Sequence, residues 1–74
     1  MSNGHDVLNG ASKIARSMAT VGDTVIIKAR PNYRAVIEAD EWGRLTVRPL
    51  PDQGVTTRAR AVWRKAILDV CSNA

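Results

Sequence analysis

Along the chain, apolar positions recur first with a helical period and then with a period of two. Val7, Leu8, Ala11, Ile14, Ala15, Met18 and Ala19 fall at the i, i+3, i+4, i+7 spacing that lines one face of an amphipathic helix. Asp6 precedes the stripe, where its carboxylate can accept a backbone hydrogen bond as N-cap and complement the helix dipole. The pattern predicts a helix over Val7–Ala19 that packs one face onto a sheet, with Lys13 and Arg16 on the polar side. Residues 1–6 read as a mobile end, and 7–74 as a single small domain.

From Gly22-Asp23, a turn signal, the period changes. Thr24–Ala29 is a β-branched run too short for a helix, and Pro31-Asn32 breaks it. Tyr33–Ala39 and Arg44–Arg48 follow as strands, joined by the tight connection Asp40–Gly43. In the last strand Leu45 and Val47 alternate with Arg44, Thr46 and Arg48, so one face is apolar and the other basic. Gly43 suits the left-handed position of a three- to four-residue hairpin loop. Pro49 and Pro51 then end the ladder, because neither can donate a backbone N–H. These three segments predict an antiparallel meander.

The tail supports two readings. As a helix, Ala59, Val62, Trp63, Ala66, Ile67 and Val70 share an arc of roughly 140° at 100° per residue. As a strand, Thr57, Ala59 and Ala61 alternate with Thr56, Arg58 and Arg60 until the pattern collapses at Val62-Trp63. The expectation that reconciles them is a short strand at Val55–Thr57 followed by an amphipathic helix from Arg58 to Val70, with Trp63 as core anchor.

Composition narrows the class. With 74 residues, 45% hydrophobic and 24% charged, the chain has globular proportions and room for one domain. Such a size buries only roughly 60% of the unfolded surface, so oligomerisation or a partner would help stability. No apolar run approaches the length that crosses a bilayer, and no basic-then-apolar leader opens the chain, so a membrane partner is not expected. The single Cys71 excludes an intramolecular disulfide and suits a reducing, cytoplasmic setting. One cysteine and one histidine cannot complete a zinc site within one chain, and no cofactor is expected.

Catalytic chemistry is thinly represented. The five glycines are scattered, with no phosphate-cradling loop among them. Asp40 and Glu41 sit at a predicted hairpin tip, where water keeps both ionised and nothing separates their pKa values. A non-enzymatic binding protein is the expectation, with no small-molecule substrate. Eleven Lys+Arg against seven Asp+Glu leave a net charge of +4, and most of the cations are arginine, the better fork for phosphate. Arg44 and Arg48 share a strand face, while Arg58, Arg60, Arg64 and Lys65 crowd the start of the tail. Together the arginines would form one positive surface for nucleic-acid backbone. Trp42, on the hairpin tip, is either an exposed stacking residue or a side chain folded back over the sheet edge. The alternative is a protein-interaction module, an inhibitor, adaptor or homo-oligomer subunit. It would dock through Trp42 or through Ile14 and Met18 on the helix stripe.

Residues 22–48, from Gly22-Asp23-Thr24-Val25 through the Trp42-Gly43 hairpin to Leu45 and Val47, resemble the opening strands of small SH3-like barrels such as Tudor- and KOW-type modules. That resemblance, over about a third of the chain, implies a platform for RNA, DNA or protein peptides, held by loops and by exposed aromatics for which Tyr33 and Trp42 are the candidates. The order helix, three strands, helix is also similar to that of double-stranded-RNA-binding domains. There the basic start of the second helix, here Arg58 and Arg60, would meet phosphates.

The expected fold is therefore α+β: an N-terminal helix, a three- to four-stranded curved antiparallel meander and a C-terminal amphipathic helix, or alternatively an SH3-like small barrel with an N-terminal helix. The expected role is accessory or regulatory binding of DNA or RNA, of the kind that phage or other mobile elements encode.

Overall fold

The computed structural model describes residues 13–72. Residues 13–18 are helical, and they are followed by five strands: β1 (Thr24–Ile27), β2 (Tyr33–Glu41), β3 (Arg44–Pro49), β4 (Arg60–Trp63) and β5 (Ile67–Ser72). A single 3₁₀ turn, η1 (Arg64–Ala66), joins the last two. The expected mobile segment 1–6, and the part of the expected helix before residue 13, lie outside the described residues. The α+β class holds, with a helix ahead of a curved antiparallel meander.

All pairings are antiparallel, in the order β4-β3-β2-β1-β5. The alternation legible in the sequence sets the faces. Val25, Ile27, Tyr33, Ala35, Ile37, Leu45 and Val47 point to one side and are buried, while Arg34, Glu38, Arg44 and Arg48 point to the other. Register shifts in β2 between Ile37 and Ala39, and at two points along the β1–β5 ladder, bend the sheet. The bulge in β2 also reverses its parity. Beyond it Ala39 faces Thr46 and Asp40 faces the buried Leu45, so Asp40 lies toward the core side.

The sheet does not close. No ladder joins β4 to β5 among the described residues, so both are edges of an open sheet, and the SH3-like, Tudor- or KOW-type barrel is not the architecture. Tyr33, a candidate exposed aromatic under that resemblance, is instead buried in the core.

The C-terminal helix is likewise replaced, and with it the similarity to double-stranded-RNA-binding domains. Residues 60–63 and 67–72 are strands around η1, and Val55–Thr57 lies outside any strand. Helix propensity in the tail is a local preference worth tenths of a kcal/mol per residue. Against it stand two open sheet edges, β1 and β3, whose backbone groups gain partners only from a further strand. The 3₁₀ turn lets the apolar stripe remain useful, since Val62, Ala66, Ile67 and Val70 still pack on the core. Trp63 is the exception. It pairs with Arg44 on the outer face and is 56% exposed, so it is not the core anchor.

Two local devices position the helix and the long loop. Asp23, buried, accepts from Thr20 N at 2.9 Å through its carboxylate, while Gly22 N donates to Ile37 O and Ile37 N to Asp23 O. Together these tie the turn after the helix to β2. In the loop after β3, the Gln53 amide accepts from Arg34 N and donates to Arg34 O, both at 2.8 Å, and so pairs with β2 as a strand would.

Candidate nucleic-acid interface

The β2–β3 hairpin turns on two residues, not the longer loop expected. Trp42 and Gly43 both have positive φ, 56° and 81°, as a type I′ turn requires. Gly43 takes this conformation without strain, whereas Trp42 carries a Cβ that the left-handed region disfavours. Trp42 is also fully exposed, at 100%. Of the two readings of this side chain, the one folded back over the sheet is excluded.

Behind the tip, Arg44 on β3 faces Trp63 on β4, and its guanidinium carbon lies 5.2 Å from the indole centroid. This cation–π contact braces the half-exposed ring on the outer face of the edge strand β4. Trp63 also lines a cleft of about 400 Å³ with Gly43, Arg64 and Lys65. The main chain ties these elements together, Arg64 N donating to Gly43 O at 2.8 Å.

The fold distributes the other predicted arginines instead of gathering them. Arg48 shares the outer face with Arg44, but its Nε donates to Glu38 Oε2 at 2.7 Å and its Nη1 to Thr57 O at 3.1 Å. The hydrogen bond to Glu38, and then the attraction of the same carboxylate, raise the Arg48 pKa above the ordinary arginine value. Arg60 projects to the opposite side, in register with the buried Val47. Its guanidinium lies over the Tyr33 ring at 5.1 Å and donates to Thr56 Oγ1 at 2.9 Å. Arg58 is exposed in the segment before β4.

Arg64 has a different role from phosphate contact. Its Nη1 donates to the carbonyls of Arg16, Ser17 and Ala19 at 3.1, 3.3 and 2.8 Å, and its Nη2 to Asp40 Oδ2 at 2.7 Å. Those carbonyls end the helix, where a cation is favoured by the dipole and by the absence of intrahelical partners. The bulge that turned Asp40 inward supplies the counter-ion. Arg64 is thus a clamp that fastens the helix to the sheet. Sequence reasoning named Lys65 among the basic residues of the tail but missed Trp63 as a surface residue of this end, because its helical spacing concealed a strand register that only pairing with β3 reveals.

The protein-interaction candidates Ile14 and Met18 are exposed, at 60% and 72%, so they do not form the sheet-packing face expected of the helix. That contact is made by Ala19, which is buried. Among the described residues no three His, Cys, Asp or Glu side chains gather as a metal site would require. No helix among them is long and apolar enough to cross a membrane. Comparison with known proteins returns no match, whether to a family profile, to a curated protein or to a solved structure.

Proposed function

We propose that this chain is a non-enzymatic nucleic-acid-binding protein with an accessory or regulatory role, working in the cytoplasm. Its contact surface is the hairpin end of the sheet, where Trp42 stands exposed at the tip and Trp63, stacked with Arg44, shares a cleft with Lys65. Trp42 carries the reading. A tryptophan held at φ 56° and wholly exposed costs roughly 1–2 kcal/mol of backbone strain and returns no burial. Position 42 is therefore better explained by what the indole touches in a complex than by folding. Stacked aromatics flanked by cations are how proteins hold bases while cations hold the backbone. The net charge of +4 supplies attraction to polyanions, and a lone, exposed Cys71 fits a reducing compartment.

The test is fluorescence anisotropy of labelled oligonucleotides across a salt series. Affinity should fall steeply between about 50 and 200 mM salt. Trp42→Gly should melt at a higher temperature, by about 4–8 °C for 1 kcal/mol gained in a chain of this size, and yet bind about fivefold or more weakly. A Trp42→Gly protein that is more stable and binds equally well refutes the proposal, as does absence of binding at low salt.

A protein-interaction module remains the second reading, favoured by exposed Ile14 and Met18 one helical turn apart, with exposed Val21 beyond them. It predicts a discrete oligomer or a stoichiometric protein complex that survives about 0.5 M salt, where exposed charge is screened. Light scattering at that salt distinguishes it from the first.

A further inference from the structure

The helix and η1 meet across a second cleft, of about 460 Å³, lined by Lys13, Arg16, Ser17, Arg64, Lys65 and Ile67. Arg64 and Lys65 also line the Trp63 cleft, so the two hollows adjoin across η1. Their chemistries differ. The first is walled by an indole and the Gly43 backbone. The second is walled by Lys13, Arg16 and Lys65, and among the described residues these hold no ion pair and no carboxylate lines the cleft. Asp40, the acid beside η1, is already bound by Arg64. Lys13 and Arg16, three residues apart on the helix, stand on one side of it. The Arg64 bond to Arg16 O holds that turn against η1. On the hairpin side, by contrast, Glu41 faces Arg44 in the strand register and repels phosphate.

We infer that the ligand of this surface is single-stranded nucleic acid. An unpaired base stacks on Trp63 in the first cleft, and the adjoining phosphates lie in the second, between Lys13, Arg16 and Lys65. This rests on the nucleic-acid reading and narrows it. In a duplex each base is covered on both faces by its neighbours, so an indole standing at a sheet edge gains stacking only from a base out of the helix. The cations add a backbone contact indifferent to sequence. The path therefore starts at the hairpin tip, where Trp42 takes a neighbouring base, and runs past the Trp63 cleft and across η1 to the helix; it leaves Arg48, Arg60 and Arg64 to their structural partners.

Anisotropy titrations of the full chain with a 12-nucleotide oligothymidine, the matching oligouridine and a 12-base-pair duplex test it. Both single strands should bind about tenfold or more tightly than the duplex and should quench indole fluorescence; a preference between the two reports which sugar is read. Lys13→Glu with Arg16→Glu should weaken single-strand binding about tenfold or more. Arg30→Glu with Arg34→Glu, the same change of charge at exposed residues that line neither cleft, should change it less than about threefold, which separates a track from bulk charge. The neutral pair Lys13→Ala and Arg16→Ala should lower the slope of log affinity against log salt by about 1.4, at 0.7 per phosphate contact. Trp63→Tyr should keep binding and Trp63→Ala lose it, with circular dichroism confirming that each is folded. Equal or tighter duplex binding overturns this inference while sparing the broader one. So does the Arg30→Glu with Arg34→Glu pair matching the effect of the helix reversals. No binding to any probe overturns both.

Discussion

Arg64 shows how little a residue type says about its task. Four hydrogen bonds engage its guanidinium, three to carbonyls at the helix end and one to Asp40. Arg64→Ala should cost about 2–3 kcal/mol, the scale for hydrogen bonds to a charged group that is mostly shielded from water. It should also lower helical ellipticity, and urea denaturation followed by circular dichroism measures both. Arg64→Lys should not rescue the loss, because an ammonium cannot span the carbonyls and Asp40 as a planar fork does. Arg48 should behave in the opposite way. Its ion pair with Glu38 is exposed, so Glu38→Gln should leave the melting temperature nearly unchanged. The raised Arg48 pKa adds a contribution that is whole below the ordinary arginine value and lost only as pH rises through the raised one. Melts at about pH 5 and pH 9 should therefore show the same small difference between Glu38→Gln and the parent.

At the scale of elements, the first three strands were legible because their alternation is a local signal. Thr24, Tyr33 and Arg44 each begin a strand where the reading placed them, since turn residues on either side leave little freedom. The tail was not legible, because its residues satisfy a helical stripe and a strand–turn–strand equally well. What decides is a non-local partner: β4 lies against β3 and β5 against β1. One substitution separates the two states by sign. Ala61 is exposed on β4 opposite Thr46. Ala61→Thr should stabilise by about 0.2–1 kcal/mol through a cross-strand threonine pair, whereas in a helix it would destabilise by about 0.5 kcal/mol. Gly43→Ala tests the hairpin in the same way. A Cβ there meets nothing within 4 Å, so the cost, about 1 kcal/mol, is backbone strain alone and should appear in the denaturation midpoint.

For the whole molecule, stability rests on one thin layer of aliphatic side chains. Both tryptophans are exposed, there is no phenylalanine, and Tyr33 is the one aromatic in the core. Leu45 is wholly buried at the centre, so Leu45→Ala should cost about 2–5 kcal/mol. That is comparable with the entire stability of a small domain, and a large unfolded fraction at 37 °C by circular dichroism is the expected result. Spending both indoles on the surface is consistent with a protein whose structure is completed by what it binds.

The candidate site was partly readable for the same reason. Trp42 and Arg44 could be found from sequence because a hairpin tip and an alternating strand expose predictable positions. The surface place of Trp63 and the helix-side cleft that Lys65 lines could not, since they form only when strands distant in sequence take one register. By itself the sequence determined the periodicities: a helix, three strands, the turn at Gly43 and an excess of arginine. The tertiary structure decided the rest, namely which arginines face solvent and which face carboxylates or carbonyls, and that the tail completes a sheet. The physical division is between preferences that each segment carries alone and backbone partners that a sheet edge obtains only from elsewhere in the chain.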